Sequence, residues 1–509
     1  MSPTLSASSK RWILWIVAGL LLRIAFVAVP RPSDDDTAVY LELGHNLLHH
    51  GIYGIADGAV IDPSLFRLPG YPLLLATIEL GFARIWPDGW LNVVFTIQAG
   101  ADVASGLLLA AFACRYLSPR AAEATLILAM FCPFTAAYSG IGMTECLSVF
   151  AVSLGIYAAG RALDHIEAGR QYRPMLILAS SAAAMAMLLR PDGAILLAAL
   201  AGGLFLYTQR ESPRQLARAR RRHAIGVVEL FCLVALLPLV PWTARNWSTF
   251  HVFQPLAPRY VNDPGEYVDS GFYRWLRTWS AGFDSTANVF WSVGEQPIDC
   301  NDLPASAFDS PRQRDATCSL FAAYNLNNKI SSALDSAFAA LAVDRIRSHP
   351  LRYYAVLPVL RVADMLLRPR TEAFYLDVYW WRGRQHPGQT AAAVLLGLIN
   401  LGYLGAAIWA FCRRRVPLAW MLGGYLLLRC LLLATVENPE PRYTLECYPI
   451  LIVASASAFT RRNGSLTERQ GVRAPASFVH RQLKLYADPS VRSDSAVRAP
   501  GLPLREFLE

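Results

Sequence analysis

The sequence predicts an all-α polytopic membrane protein. It would hold about ten (10–12) spanning helices, interfacial helices in the first outer loop and one large outer segment. Three observations predict this. The 509 residues are 54% hydrophobic and 17% charged, with a mean hydropathy of +0.31, whereas soluble domains are about a quarter charged. Several apolar runs approach the roughly 20 residues that cross a bilayer. Lysine and arginine gather in short segments between those runs, the pattern of the positive-inside rule. The net charge of +9 is therefore no nucleic-acid footprint. There is no P-loop, no GxGxxG after a strand, no CxxC pair and no repeat of fixed period.

The apolar runs lie near 12–30, 91–113, 120–139, 143–160, 174–190, 192–209, 224–242, 390–412, 416–436 and 444–460. Lys10 and Arg11 precede the first, and Arg115 and Arg120 separate the second and third. Arg161, Arg170 and Arg173 follow the fourth. Arg210, Arg214, Arg218, Arg220, Arg221 and Arg222 follow the sixth. Arg413, Arg414 and Arg415 follow the eighth, and Arg461 and Arg462 the tenth. With ten spans every cluster falls on one side, so both termini are expected in the cytoplasm of a multi-pass inner (plasma) membrane protein. The run 12–30 is long and has no A-x-A before Arg31, so it reads as an uncleaved span.

Two apolar stretches stand outside this count, 69–86 and 351–368. In the second, Arg361, Asp364 and Arg368 make a polar stripe at i, i+3 and i+7, which suits a helix lying in the interface plane. Making just one of the two a span would invert the charge rule downstream, so both read as re-entrant or interfacial. The outside then carries the loop 31–90, short turns near 140–145, 190–193 and 437–443, and a segment at 243–389. This divides the chain into an N-terminal transmembrane module (1–247), a large extracytoplasmic segment (248–389), C-terminal transmembrane helices (390–460) and a polar cytoplasmic tail (461–509). Of nine cysteines, most sit inside apolar runs, where they serve as small buried residues. Cys300 and Cys318 both lie in the outer segment, where an oxidising space would let them pair.

Polar residues recur at the outer ends of helices far apart in sequence. The first loop holds Asp34, Asp35, Asp36 and Glu42, then Arg67 in FRLPGYP; later turns supply Glu145, Arg190, Asp192, Arg245, Arg442 and Tyr443. Each has a plainer reading. The three aspartates are equally a solvated helix end, Glu145 an acid favoured at a helix start, and Arg190 and Arg245 snorkelling anchors. Tyr375, Tyr379, Trp380 and Trp381 suit an aromatic belt more than a sugar platform. Arg23 inside the first span is harder to set aside, because a charge there is costly and usually paired; an acid of the outer cluster is its expected partner. Taken together, a carboxylate beside water and membrane suggests a general base. Arginines at that depth suggest a phosphate on a lipid. The neighbouring acids would raise the proton affinity of Asp36 by like-charge repulsion.

These residues resemble the GT-C superfamily of integral membrane glycosyltransferases, in the branch of the protein O-mannosyltransferases and the aminoarabinose transferase that modifies lipid A. The resemblance covers about residues 20–460. It rests on D-T-A-V-Y (Asp36 to Tyr40), the following LELGHNLLHHGIYG, FRLPGYPLLLA, a Thr-Glu opening a later helix, R-P-D-G, P-W-T-A-R-N and P-E-P-R-Y-T-L-E-C-Y-P. It implies a GT-C-like bundle, a polyprenyl-phosphate sugar donor, an inverting transfer outside the membrane and a glycan, lipid or protein acceptor. By the same resemblance Asp36 is the catalytic base and Arg67 contacts the donor phosphate. Glu145 orients the acceptor or the base. Arg245 and Arg442 become donor contacts, Asp35 joins Asp36 and Glu145 as a catalytic residue, and Asp34, Tyr40, Tyr71 and Arg190 are acceptor contacts or support. The branch often has Asp-Glu where this chain has Asp36-Thr37, so Asp35 or Asp34 would be the helper. Three adjacent acids could hold a divalent metal, but none is expected to be required, and no nucleic acid is implied. The competing readings are a transporter or flippase for an anionic lipid-linked sugar, and a membrane-anchored scaffold. Transporters usually hold their charges near the bilayer midplane, within inverted repeats, and a scaffold leaves the outer charges without a shared purpose.

Overall fold

The computed structural model describes residues 7–29, 35–209, 217–383 and 386–459. Asp34 and the tail 461–509 lie outside the described residues. Among the described residues the regular structure is helical apart from one hairpin. The N-terminal part runs α1 (Ala7–Ala28), α2 (Asp35–His50), β1 (Gly54–Asp57), β2 (Val60–Pro63), α3 (Gly70–Phe82), α4 (Trp90–Tyr116), α5 (Pro119–Met130) and α6 (Pro133–Ala137). It continues as α7 (Glu145–Glu167), α8 (Arg173–Leu189), α9 (Ala194–Gln209), α10 (Ala217–Leu236) and α11 (Leu239–Phe250). The segment beyond holds α12 (Ser270–Leu276), α13 (Phe283–Ser285), α14 (Pro311–Tyr324), α15 (Ser332–Ser348) and α16 (Leu357–Leu367). The last helices are α17 (Pro387–Cys412), α18 (Ala419–Leu433) and α19 (Tyr448–Ala456).

Among the described residues, six helices are long and apolar enough to cross a membrane: Lys10–Ala28, Trp90–Tyr116, Pro119–Gly140, Glu145–Glu167, Pro191–Gln209 and Pro387–Cys412. A seventh forms if α10 and α11, bent by 50° at their junction, make one span. Pro238 caps α11 at that junction, and a proline there removes a ladder donor and kinks the axis. The remaining expected spans form shorter apolar helices, α8, α18 and α19. The molecule is a multi-pass membrane protein. Its helices keep exposed apolar faces, such as Leu395, Leu398, Leu401 and Ile408 on α17, as contact with lipid requires.

Where helices cross closely, small residues permit it. A Cβ on Gly203 of α9 would meet Met421 of α18 at 2.6 Å, and one on Gly19 of α1 would meet Met130 of α5 at 2.6 Å. Arg23 of α1 is fully buried and pairs with Asp102 of α4 at 2.6 Å. Thr135 also donates to Asp102, at 3.1 Å. The expected partner from the outer cluster is thus replaced by an acid of the bundle, because α1 packs along α4 and α5.

The first outer loop folds as α2, the hairpin and α3. The strands pair antiparallel from Gly54↔Pro63 to Asp57↔Val60, and Gly58 turns them at φ +61°. At 13 residues α3 is too short to span alone. The outer segment has its own aromatic core around Trp275, Phe272, Phe321 and Phe338, and Cys300 and Cys318 form a disulfide. The polar stripe of α16 holds the backbone that follows α12. Arg361 is buried and donates to the Ser280 carbonyl at 2.9 Å, while Asp364 accepts from the Phe283 amide at 3.0 Å. Val359, Leu360 and Leu367 stay exposed on the other face.

Candidate active site

Asp36 lies in the first turn of α2, where the helix dipole favours a carboxylate. One oxygen pairs with Arg67, which is held just ahead of α3 by the break at Pro69. The other lies 3.0 Å from Arg442, from the turn before α19. Tyr40 is one helical turn beyond Asp36 and therefore on the same face. The Arg67 guanidinium lies over the Tyr40 ring at 5.6 Å, and the Tyr40 and Tyr71 rings meet edge to face at 5.2 Å. The Tyr71 hydroxyl donates to Gln98 of α4 at 2.7 Å, and the Gln98 amide donates to the Ile141 carbonyl at 2.8 Å. A hydrogen-bonded chain thus ties the first loop to the turn before α7. A Cβ on Gly142 of that turn would meet the Thr37 methyl at 2.6 Å. Thr37, where the resembled branch often has Glu, packs against that glycine.

Behind this layer lies a buried ion network. Glu145, at the start of α7, pairs with Arg190 at 3.0 Å. Arg190 also lies 3.2 Å from Asp192 and 3.5 Å from Glu446. Arg429, in the middle of α18, reaches Asp192 at 2.8 Å and Glu446 at 2.6 Å. Arg442 meets Glu440 at 2.5 Å. The Tyr443 ring joins the two layers, with Arg190 and Arg442 each 5.6 Å from its centre.

Exposure grades across the cluster. Asp36, Arg67 and Arg442 keep 20%, 24% and 16% of their side chains accessible and Arg190 and Asp192 keep 17% and 13%, whereas Glu145, Arg429 and Glu446 keep 3% or less. Two buried polar atoms here, Arg67 Nε and Glu145 Oε2, have no hydrogen-bond partner, whereas Arg442 Nε meets Glu440, and Glu446 Oε1 faces Arg190. Buried polar groups are nearly always satisfied, so these two atoms leave room for a polar ligand.

Burial alone would raise the Asp36 carboxyl. The charges of Arg442 and then Arg67 outweigh it and hold the group below its ordinary value. This corrects the expectation of a raised proton affinity, because two guanidiniums are the closest charges. Burial pushes Glu440 up despite Arg442 beside it.

Arg245 does not join the cluster. It donates to the carbonyls of Ser64 at 2.7 Å and Tyr53 at 2.8 Å, and packs over the Tyr53, Trp242 and Phe250 rings. It braces the hairpin. Asp35 is the first residue of α2. Sequence reasoning missed Arg429, Glu440, Glu446 and Gln98. Arg429 carried a readable signal, a lone charge within YLLLRCLLL, since intramembrane charges are usually paired. Glu440 and Glu446 were hidden among the polar residues of a turn.

No protein-family model matches the chain, and no curated protein does. Among solved structures it is similar to the archaeal oligosaccharyltransferase AglB from Archaeoglobus fulgidus, in complex with an inhibitory peptide and a dolichol-phosphate. The identity is 14% and the TM-score 0.47, over 97% of this chain and 53% of that one. A structure of the Archaeoglobus fulgidus oligosaccharyltransferase tethered with an acceptor peptide matches at 13% identity and a TM-score of 0.45, over 94% and 51%. ArnT from Cupriavidus metallidurans bound to undecaprenyl phosphate matches at 13% identity and a TM-score of 0.38, over 89% and 77%. The chain spans about half the length of the oligosaccharyltransferase it matches.

Proposed function

We propose that this chain is an inverting glycosyltransferase. It moves a sugar from a polyprenyl-phosphate donor to a hydroxyl acceptor on the extracytoplasmic face of the plasma membrane. The observation that carries this reading is the half-open cluster in which Asp36 sits between Arg67 and Arg442. Asp36 takes the proton of the acceptor hydroxyl, and that oxygen attacks the anomeric carbon from the side opposite the phosphate. The new C–O bond forms as the bond to the phosphate oxygen breaks, and the electron pair leaves on the phosphate. Arg67 and Arg442 stabilise the growing phosphate charge, which is where preorganised donors contribute most.

The pairing of Asp36 with both arginines supports a coupling between donor binding and base strength. A carboxylate clamped by two cations is a weak base. An arriving phosphate competes for the same guanidiniums, and as they turn towards it the proton affinity of Asp36 rises. Glu145 and Arg190 position this layer from behind, Tyr40 and Tyr71 orient Arg67, and Asp35 or Asp34 assists. Arg245 acts through the hairpin. No divalent metal is required, since guanidiniums supply the positive charge.

A groove of about 840 Å³ lies between α16, the loop after it and α17. Its apolar wall includes Leu360, Leu367, Val394 and Leu398, and Arg368 and Trp381 line it. This composition suits a prenyl chain held beside the membrane, with α16 in the interface plane. The reading keeps both termini cytoplasmic and assigns the segment 248–389 to the acceptor side, between the transmembrane modules 1–247 and 390–460.

The test is mass spectrometry of envelope glycans and lipids from cells with the protein, without it, and with Asp36→Asn. Loss of one sugar modification in the last two names donor and acceptor together. A modification unchanged by Asp36→Asn, in a variant that inserts normally, rejects the assignment.

A further inference from the structure

At the far end of α2 from Asp36, three metal-ligating side chains converge. His45 and His49 are one turn apart on the same face, the i, i+4 spacing that lets two imidazoles share one ion. Glu79 reaches them from α3. Its Oε1 lies 2.8 Å from His45 Nδ1 and 3.1 Å from His49 Nε2, and the three ligand atoms lie within 4.8 Å of one another. In a tetrahedral site with bonds near 2.05 Å, ligand atoms stand about 3.3 Å apart. The Glu–His separations are already within about half an ångström of that, and rotation of the exposed imidazoles closes the rest. The helices are built to meet here. Gly44, next to His45, would place a Cβ 2.8 Å from the Pro72 carbonyl, so α2 and α3 touch backbone to backbone and Glu79 lies within reach. The carboxylate is sheltered, at 11% exposure, while His45 and His49 are 54% and 49% exposed. That leaves a solvent-facing position for a bound water.

We propose that His45, His49 and Glu79 form a binding site for one zinc-class divalent ion, which clips α2 to α3. Two imidazoles and one carboxylate suit zinc, nickel, cobalt or copper, and disfavour magnesium and calcium, which take oxygen ligands. The nine residues from Asp36 to His45 correspond to about 13 Å along the helix, so the ion would not touch the acidic cluster. Its effect would be to fix α2, which carries Asp36, against α3, which follows directly on Arg67, at the base of the hairpin. This inference stands independently of the proposed transfer reaction.

The test uses tag-free, chelator-treated full-length protein in detergent micelles, titrated calorimetrically with zinc chloride and, separately, magnesium chloride. The expected result is one zinc per chain, no comparable magnesium binding, and a higher thermal midpoint with zinc. Losing even a supporting residue of a metal site weakens affinity about 10–100-fold, so His45→Ala, His49→Ala and Glu79→Ala should each weaken zinc at least tenfold. Asp36→Asn should bind zinc as the parent does. Three outcomes overturn the proposal: no saturable zinc site, equal affinity in the three ligand variants, or loss of binding in Asp36→Asn, which would move the ion to the acidic triplet.

Discussion

The first outer loop and the large outer segment are built from the same materials and use them in opposite ways. Both are helical, lie outside the apolar runs and are rich in charge. In the loop, Asp36 is paired across the chain, with Arg442 more than four hundred residues away, and the group stays partly open. In the segment, Arg259 and Arg277 reach out to Glu437, but the charges around Asp309 and Asp335 close upon neighbours. Asp309 binds Arg352 at 2.7 Å and Arg345 at 3.4 Å. Arg345 also donates to the carbonyls of Ala307 and Ser306, and Asp335 holds the Phe272 amide at 2.8 Å. A charge satisfied by its own module stabilises that module. A charge left half-open between modules is available to a ligand. On the proposed function, chemistry belongs to the loop and support to the segment, and each expectation below tests that division.

Asp36→Asn carries the largest expected effect. A positioned general base contributes about 10²–10⁴-fold, so transfer should fall at least a hundredfold while the size-exclusion profile and helical content stay those of the parent. Single-turnover transfer from a purified lipid-linked donor measures this. Activity within threefold of the parent would place the base elsewhere.

Arg442→Ala and Arg67→Ala come next. Removing one donor to a developing oxyanion costs about 10²–10³-fold in turnover, and here kcat should fall more than KM rises. The pH profile separates a chemical role from a packing one. Arg442 and Arg67 hold the Asp36 carboxyl below its ordinary value, so the free protein's acid limb lies beneath the usual carboxylate range. Arg442→Gln removes charge that favours the ionised form, so the limb should move to higher pH. A limb that stays in place while kcat drops would make Arg442 a structural residue.

What was legible in the sequence follows the same division. Asp36 and Tyr40 were readable through D-T-A-V-Y, and Arg442 through P-E-P-R-Y in a turn between apolar runs, both motifs of the resembled family. The buried layer was harder. Arg429 sits in an apolar run that reads as a span, and its partners Asp192 and Glu446 come from other helices. A period in one segment carries no information about cross-chain pairing of that kind. The partner of Arg23 was misassigned for the same reason. The sign of the Asp36 shift was missed because adjacent acids are visible in a sequence, whereas the approach of two distant guanidiniums is not. The outer segment's core of Trp275, Phe321 and Phe338 gave no pattern of its own, its helices being short and irregular.

The segment's expected effects are on stability. Cys300 and Cys318 are 18 residues apart, and a disulfide closing a loop of that size contributes about 3 kcal/mol. Cys300→Ser with Cys318→Ser should lower the thermal midpoint. Turnover measured well below that midpoint should remain within about twofold of the parent, as for a change that leaves contacts with the reacting atoms intact. A collapse of turnover in a folded double variant would bring the segment into the chemistry and break the division drawn above.

The smallest effect tests the segment's internal electrostatics. Asp269 stands at the N-terminal end of α12, and burial, then the charge of Asp335, raises its carboxyl to about 6. A carboxyl whose folded pKa is raised binds its proton more tightly in the native state than in the unfolded one. Its contribution is therefore most favourable at low pH. It is lost as pH rises from the ordinary value near 4 to about 6, and is flat above. Asparagine cannot ionise and is equally good at a helix N-terminal cap. Asp269→Asn should thus raise the thermal midpoint at pH 7.5, by an amount equivalent to about 1 kcal/mol after allowing for the residue's partial exposure. The gain should shrink towards zero by pH 4. A midpoint that falls, or a gain of equal size at both pH values, would mean that Asp269 contributes through a contact and not through its charge. The segment would then hold its acids for structure, in contrast to the reactive role proposed for Asp36 in the loop.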